Sequence, residues 1–458
     1  MPRLLETTRD WQRVTLANAG AYDPAAGIAG AERAGAWSAW RRALEGTPDA
    51  LIALVTASGL RGRGGAGFPT GRKWRTTRAQ ESRVRYVIAN GVEADPGALL
   101  HRTLMELDPH AVVEGTALAA WGVGAREAII AVKADYRVAI DRLRAAVAAA
   151  EAAGYLGPNA MDRGFDLMID VRPVEGAFVL GEETVLIRAL QADRGMPEQR
   201  PPYPAERGLR SQPTVVNCVE TLAAVPWIVR NGAEAFAATG RNGQAGTKLV
   251  QVSGAAQATG VAEVPLGTTL GEVLDAVGGG MANGSTLKAL LVGGPAGGFL
   301  PADALDTPLE PDALEAAGAI LGSGQILVVD QRACIVELGQ LMERFMADES
   351  CGKCIPCRIG ARRLYEIATR FTTGRPRPND PALLLDLAAD VRDGSLCGHG
   401  VNAPNPLTSG MRYFRGEYEA HFTGAACPAG VCQSPALSAA GSGSAGPRSA
   451  RPEASRPS

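Results

Sequence analysis

Two periods of apolar residues divide the chain. Between residues 49 and 245, short apolar runs such as "RVRYVIAN", "EAIIAVKAD" and "FDLMIDVRP" alternate with longer stretches at helical spacing, "HAVVEGTALAAWGV" and "YRVAIDRLRAAVAAAEAAG". That alternation predicts an α/β unit. Residues 246–330, with "TKLVQVSGAA", "TTLGEVLDAV", "LKALLVGG" and "GQILVVD", predict a small strand, helix, strand, strand module with its own core. From 331 to 425 the apolar positions of "CIVELGQLMERFMADE", "RIGARRLYEIATRFTTG" and "PALLLDLAADVRDG" keep helical spacing, so a helical domain is expected there. Residues 1–48 are mixed and polar, with one helix expected in "GAERAGAWSAWRRALE", and read as an N-terminal arm. Residues 426–458, ending in "SAAGSGSAGPRSARPEASRPS", read as a disordered tail. No internal repeat or coiled-coil heptad is visible.

A chain of 458 residues accommodates two to four domains of this kind. Its formal net charge of −2 argues against a nucleic-acid partner and leaves proteins or small molecules. The opening "MPRLLETTRDWQRVTLANAG" lacks an apolar run of signal-peptide length, and nothing downstream approaches the ~18 apolar residues of a membrane span. A soluble, cytoplasmic protein is the expectation. In that compartment thiols stay reduced, so clustered cysteines are metal ligands or redox groups before they are bridges.

Three of the eight cysteines stand together in "ESCGKCIPCRIG": Cys351, Cys354 and Cys357, with Gly352 and Pro356 between them. The same C-x2-C-x2-C run holds three irons of a cubane [4Fe–4S] cluster in bacterial ferredoxins. A fourth thiolate must then come from elsewhere, and Cys397 in "DGSLCGHGVNAP" is the candidate, with His399 an alternative ligand or a hydrogen-bonding neighbour. Zinc remains the other reading of this cysteine set, although structural zinc normally takes its ligands as two separated pairs. Cys427 and Cys432 in "ACPAGVC" suggest either half of a metal site completed by a partner chain or a plain surface turn. Cys218 and Cys334 lie in apolar surroundings and read as inert core residues.

A second constellation is "GLRGRGGAGFPTGRKW", residues 59–74. Gly62, Gly64 and Gly67 satisfy G-x-G-x-x-G, but the preceding "PDALIALVTASGL" reads as a helix where a dinucleotide fingerprint requires a strand. The stretch still offers backbone N–H groups to an anion or a flat ring, and Arg61, Arg63, Arg72 and Lys73 supply positive charge. Three more stretches look like site linings. "IANGVEADPG" leaves a strand with Asn90, Glu93 and Asp95. "GAFVLGEETVLI" carries Phe178 and Gly181 into Glu182 and Glu183 at a helix start. "RPPYPAERG" and "PTVVNCVETL" add Tyr203 and Asn217.

In this order and spacing, "GLRGRGGAGFPTG", "GEET", "PTVVNCVETL" and "ESCGKC" resemble the NADH-binding flavoprotein subunits of respiratory complex I, the F-type subunits of NADH-quinone oxidoreductase, whose relatives include diaphorase subunits of NAD-linked hydrogenases and formate dehydrogenases. The resemblance covers roughly residues 50 to 425. It implies a Rossmann-like FMN and NADH domain at 49–245, a ubiquitin-like β-grasp (SLBB) domain at 246–330 and a helical bundle at 331–425 holding a [4Fe–4S] cluster. By motif match, Gly62, Gly64, Gly65, Gly67, Lys73, Asn90, Glu93, Gly181, Glu182 and Asn217 would line FMN, and Phe68, Glu183 and Tyr203 would contact NADH. Asp95 and Phe178 belong to the same linings. Cys351, Cys354, Cys357 and Cys397 would be the cluster ligands.

The implied reaction is hydride transfer from NADH to FMN, then one-electron transfer through the cluster to a partner carrier. It needs no catalytic acid or base from the protein. The partners implied are a small thioredoxin-like [2Fe–2S] subunit and a larger electron-accepting subunit or complex, with any membrane association peripheral and through those subunits. Four positions depart from the family pattern: Val92 replaces an Asp, Thr76 stands where a second aromatic is frequent, Cys218 replaces the second Asn of "VNN", and Arg200 replaces a Lys. Two alternatives follow: an iron–sulfur scaffold with impaired NADH oxidation, favoured by Val92 and Thr76, and a subunit of an ion-pumping ferredoxin:NAD oxidoreductase.

Overall fold

The computed structural model describes residues 3–433. Four strands, β1 (Tyr86–Gly91), β2 (Glu127–Lys133), β3 (Met168–Val174) and β4 (Thr214–Cys218), form an all-parallel sheet in the order β3-β2-β1-β4. All six residues of β1 are buried, as a parallel sheet covered on both faces requires. Alternate residues feed two separate cores. Val87, Ala89, Ala128, Ile130 and Val132 face one side, with the helices Pro109–Val123, Arg137–Ala152 and Val219–Asn231. Tyr86, Ile88, Ile129, Ala131 and Val216 face the other, with Val179, Leu180 and the helix Glu183–Leu190.

The second sheet has β5 (Thr247–Gly254), β6 (Gly260–Pro265), β7 (Leu287–Val292), β8 (Gly298–Pro301) and β9 (Gln325–Asp330), in the order β6-β5-β9-β7-β8. Only β5 and β9 run parallel; the remaining pairs are antiparallel. Its helix Leu270–Ala276 starts with a reciprocal capping box between Thr269 and Glu272. A bundle follows, built on the helices Ile335–Asp348, Arg362–Thr372, Asp380–Gly394, Asn405–Tyr413 and Arg415–Phe422 around Leu364, Ile367, Phe371, Leu384 and Leu407. Among the described residues, no helix is long and apolar enough to cross a membrane.

The two sheets are bolted together. Lys248 on β5 and Glu220 on the helix after β4 are both fully buried, 2.6 Å apart, and Lys248 also donates to the Ser323 carbonyl at 2.8 Å. The Glu220 carboxylate accepts the Leu249 amide at 2.7 Å. The Gln251 side chain accepts from the Leu99 amide and donates to the Gly97 carbonyl, each at 2.7 Å.

The N-terminal residues differ from the arm expected. The helix anticipated in residues 30–45 is two helices, Ile28–Arg33 and Ser38–Glu45, and Trp37 and Trp40 are fully buried in the first core. Upstream, Leu5 donates its amide to the Val261 carbonyl at the edge of the second sheet, and the buried Glu263 carboxylate accepts the amides of Val14, Thr15 and Leu16. The segment is a strap across both sheets. At the other end, Cys427 and Cys432 are buried and the Gln433 amide donates to the Thr372 carbonyl, so residues 426–433 are packed where a disordered tail was expected. The rest of that expected tail, 434–458, lies outside the described residues.

Candidate functional site

The strand order reverses direction between β1 and β4, and in an open parallel sheet the crevice beyond the carboxyl ends at such a switch point is where ligands sit. β1 ends there in Asn90 and Gly91, β4 in Asn217 and Cys218. The glycine loop reaches this point from outside the sheet. It joins the helices Pro48–Ala57 and Thr70–Arg78, so its G-x-G-x-x-G does not follow a strand. Gly64 lies against Cys218, and the Arg63 amide donates to Thr221 Oγ1 at 2.9 Å. Gly65 (φ 109°) and Gly67 (φ 59°) hold left-handed backbone, which side-chain-bearing residues rarely adopt. Arg61 donates from Nε to the Gly67 carbonyl at 2.6 Å and closes the loop. Gly64 and Gly65 stay exposed, as does Phe68.

Two carboxylates and two cations face one another beside the loop. Glu182 caps the helix Glu183–Leu190, its Oε2 accepting the amides of Thr184 and Val185 at 2.9 Å each. Lys73 donates to Glu183 Oε2 at 2.8 Å and to the Val216 carbonyl at 3.0 Å, while Arg200 pairs with both Glu182 and Glu183. Trp74 Nε1 donates to Asn217 Oδ1 at 2.9 Å, and Asn90 Nδ2 donates to the Gly181 carbonyl at 3.4 Å. The result is exposed glycine backbone at Gly64 and Gly65, ion-paired carboxylates at Glu182 and Glu183, and the exposed rings of Phe68 and Tyr203 nearby in sequence.

Other expected residues turn inward. Glu93 is buried and its carboxylate accepts the amides of His101 at 2.9 Å and Arg102 at 3.1 Å; burial pushes it up to about 7. Asp95 accepts from Ser323 and lies beside Gly294 in the second sheet's loops, so its carboxylate belongs to the seam between the sheets. Val92 is buried in the second core, so its side chain offers the crevice nothing. Cys218 departs from the core residue expected: it is partly exposed, touches the glycine loop and shares a 3.0 Å contact between its Sγ and Thr221 Oγ1.

The cysteine clasp packs on this same side. Cys351 touches the core that contains Val92, Val179 and Leu180, and the preceding Glu349 carboxylate accepts the Phe178 amide at 2.7 Å. Lys353 donates to the Pro197 carbonyl at 2.5 Å. Phe178 stacks obliquely on His399, ring centroids 5.4 Å apart, and His399 Nε2 donates to the Met346 carbonyl at 2.8 Å. His399 is therefore held by the protein on that nitrogen.

Cys357 sits at the start of a π-helical turn, Pro356–Ala361, a geometry that recurs at functional sites. Its thiol is pushed up to about 12, first by burial and then by the neighbouring Cys354, Cys397 and Cys351. Thiols gathered in this way suit a cationic metal centre, because thiolates are the ligands and repel one another without it. Ser350 Oγ lies 3.2 Å from Cys357 Sγ, and the buried Ser395 hydroxyl next to Cys397 has no protein partner, leaving a donor for cluster sulfur. Gly400 closes the turn where a Cβ would stand 2.9 Å from that of Cys357. The donor set fits a [4Fe–4S] cluster, and the glycine rim with its cations fits a flavin phosphate and ring.

A second thiol group was not legible in the sequence. Cys334, expected as an inert core residue, gathers with His421, Cys427 and Cys432, all four buried and their ligand atoms within 4.8 Å of one another. Cys427 and Cys432 thus meet residues of their own chain, neither a partner's half-site nor a surface turn. The sequence signal was H-x5-C-x4-C at 421–432; the fourth member, Cys334, is 87 residues upstream of His421, which only the fold brings near.

Residues 55–227 match the family model of the Nuo51 FMN-binding domain, and residues 338–421 match that of the NADH-ubiquinone oxidoreductase-F iron-sulfur binding region. The chain is 43% identical over 386 residues to the NADP-reducing hydrogenase subunit HndC of Solidesulfovibrio fructosivorans, covering 84% of this chain and 79% of that protein. It is 39% identical to the F-type subunit of the NADH-quinone oxidoreductase of Streptomyces coelicolor, over 86% of this chain and 88% of that one. Among solved structures, an NAD+-reducing [NiFe]-hydrogenase in the H2-reduced state matches 92% of this chain and 68% of its own, with a TM-score of 0.78 at 33% identity.

Proposed function

This chain belongs to the family of F-type, FMN-binding subunits of NADH-quinone oxidoreductase, and from that premise we propose where each part of its chemistry sits. It is an oxidoreductase subunit, with an FMN-binding domain and a [4Fe–4S] region. When bound, FMN supplies two-electron acceptance from a nicotinamide and the cubane supplies one-electron delivery. The protein's part is positional. The loop Gly62–Gly67 brings the exposed backbone of Gly64 and Gly65 to the switch point, Lys73 and Asn217 fix the end of β4, and Asn90 ties β1 to Gly181. Phe68 and Tyr203 are the exposed rings available to stack on a nicotinamide or adenine, and Glu183, pinned by Lys73 and Arg200, is the carboxylate placed to accept from a ribose or carboxamide. Glu93 and Asp95 act as positioning residues, through the helix Leu100–Leu107 and the seam to the second sheet.

Cys351, Cys354, Cys357 and Cys397 are the cluster ligands in this reading. The observation that carries it is the packing of the clasp onto the loop that leads into Glu182 and Glu183: Cys351 in the core beneath it and Glu349 holding the Phe178 amide. Flavin and cluster sites then share one wall, as sequential electron carriers must. The β5–β9 module has a mixed sheet with the capped helix Leu270–Ala276 packed in its core, and we assign it as a β-grasp unit. The chain would work in the cytoplasm beside a small thioredoxin-like [2Fe–2S] subunit and a larger electron acceptor. The test is an anaerobic titration of the reconstituted protein with NADH and, separately, NADPH, followed by low-temperature EPR. Bleaching of the flavin band with appearance of a cubane signal supports the assignment; a yellow protein that neither nucleotide bleaches refutes it and favours a scaffold.

A further inference from the structure

The glycine loop and the helix that follows it carry more positive charge than the site described above uses. Residues 59–78 hold Arg61, Arg63, Arg72, Lys73, Arg75 and Arg78 and no acidic residue. Three of these cations are committed. Arg63 is buried and donates to the Ala245 carbonyl at 2.7 Å, Lys73 pairs with Glu183, and Arg78 pairs with Asp49. Arg61, Arg72 and Arg75 are exposed and form no ion pair among the described residues. We propose that Arg72, seated over Phe68 and flanked by Arg61 and Arg75, reads a 2′-phosphate on the adenosine ribose, so that this chain takes NADPH as well as NADH. The proposal rests on the reading of this loop as part of a flavin and nicotinamide site.

The geometry supplies both a stacking surface and a charge. The Arg72 guanidinium stands over the Phe68 ring, 5.6 Å from its centroid, and Phe68 is 43% exposed. A solvent-exposed contact of this kind is weak, so it opens at little cost to admit a flat ring. Adenine stacks on an aromatic side chain, and a guanidinium plane packs on its other face. Thr76, one turn further along the helix Thr70–Arg78, shares the face of Arg72 and offers no ring, which leaves Arg72 as the planar group opposite Phe68. A cavity of about 330 Å3 adjoins Arg72, lined also by Val55, Leu60, Arg61 and Pro69, an apolar seat with a second cation on its wall.

The electrostatics favour a phosphate over a hydroxyl. A phosphate monoester carries close to two negative charges at pH 7, and arginine meets it with two parallel N–H donors. Arg75 is three residues from Arg72 and therefore its neighbour on the helix surface. Arg61 is anchored beside the loop, its Nε on the Gly67 carbonyl and its backbone bridged to Pro69. The nearby carboxylates do not oppose the phosphate. An NAD-selective site places an acidic residue on the ribose 2′-hydroxyl, where its charge repels a phosphate. Here Glu182 and Glu183 contribute −2, and Lys73 and Arg200, which pair with them, contribute +2. The three uncommitted arginines are then the charge that a nucleotide meets.

The experiment uses the full-length, reconstituted holoprotein and its Arg72→Gln and Arg72→Lys variants, with two readouts. One is steady-state oxidation of NADPH and NADH with a dye acceptor. The other is calorimetric binding of 2′,5′-ADP and 5′-AMP, unreactive probes that differ only in the 2′-phosphate. In the wild type, kcat/KM for NADPH is expected within about tenfold of that for NADH, and 2′,5′-ADP is expected to bind at least ~10-fold more tightly than 5′-AMP. Arg72→Gln should raise the KM for NADPH about 10-fold more than that for NADH and reduce the preference for 2′,5′-ADP below about 3-fold, with Arg72→Lys in between because it keeps the charge without the planar fork. NADH favoured by more than that tenfold in the wild type, 2′,5′-ADP binding no tighter than 5′-AMP, or equal losses of both probes in Arg72→Gln overturns the proposal while the flavin and nicotinamide reading stands. A flavin that neither nucleotide reduces overturns that reading and the proposal together.

Discussion

Replacing Lys248 by Met tests the bolt between the two sheets. Lys248 and Glu220 have no exposed side-chain surface and are 2.6 Å apart. Met keeps most of the aliphatic stem and removes the charge, so Glu220 is left in the interior with the Leu249 amide and the influence of Arg63. Burial already pushes the Glu220 carboxyl up, and Lys248 is the largest influence holding it down. Leaving one member of a buried pair uncompensated costs about 3–5 kcal/mol. Taking up a proton limits that cost: at pH 7, neutralising a carboxyl with an ordinary pKa of ~4.3 costs about 3.7 kcal/mol, and at pH 5 about 1 kcal/mol.

In the variant the folded state then holds a proton that the unfolded chain lacks above pH ~4.3, so its stability falls as pH rises. Lys248→Met should therefore lose about 3–4 kcal/mol against wild type at pH 7 and about 1 kcal/mol at pH 5. The assay is urea unfolding at both pH values, read by tryptophan fluorescence and by flavin release, because Glu220 lies two residues beyond Cys218 at the switch point. The first transition is the one to compare, since a chain of several units need not unfold in one step. Arg344→Ala, which breaks an exposed pair with Asp348, should change nothing measurable and serves as the control. A loss of the same size at both pH values, or under about 1 kcal/mol at pH 7, would refute the reasoning.

Three further outcomes are expected. Cys354→Ser should lose the cubane EPR signal and its iron while keeping flavin absorbance and NADH bleaching, since Cys354 is not among the residues assigned to hold the flavin; loss of flavin binding would contradict that assignment. Glu183→Gln breaks charge-assisted contacts with Lys73 and Arg200, each worth ~1.5–3 kcal/mol, and should raise the KM for NADH about 10- to 100-fold in steady-state assays with a dye acceptor. Glu93, raised from 4.5 to about 7, contributes stability that is fully present below pH 4.5 and is lost as pH rises through about 7. Wild type minus Glu93→Gln unfolding free energies, measured from pH 4.5 to 8, should fall by roughly 3 kcal/mol over that range, and a flat difference would show that Glu93 is not held near neutral pKa.

The elements that depend on neighbours along the chain could be read directly. Alternating apolar runs marked the parallel strands, because a residue's face in a strand is set by its parity. The helix before "GLRGRGG" excluded an ordinary dinucleotide loop, and Glu182 was placed at a helix start where its carboxylate caps two amides. The C-x2-C-x2-C clasp is likewise a local pattern. What the sequence could not supply were meetings between distant segments whose members look ordinary alone. Trp37 and Trp40 gave no sign that a polar N-terminal stretch is part of the first core. Glu93 and Asp95 have the same residue types whether they face a ligand or the interior, and only the packing of the helix Leu100–Leu107 and the loop at Ser323 turned them inward. Cys334 looked like a small core hydrophobe until the bundle placed His421 and Cys432 each 3.6 Å from its sulfur. Periodicity fixes which way a side chain points from its own element; which groups then meet depends on how the elements pack, and that is decided by burial and closure over the whole chain.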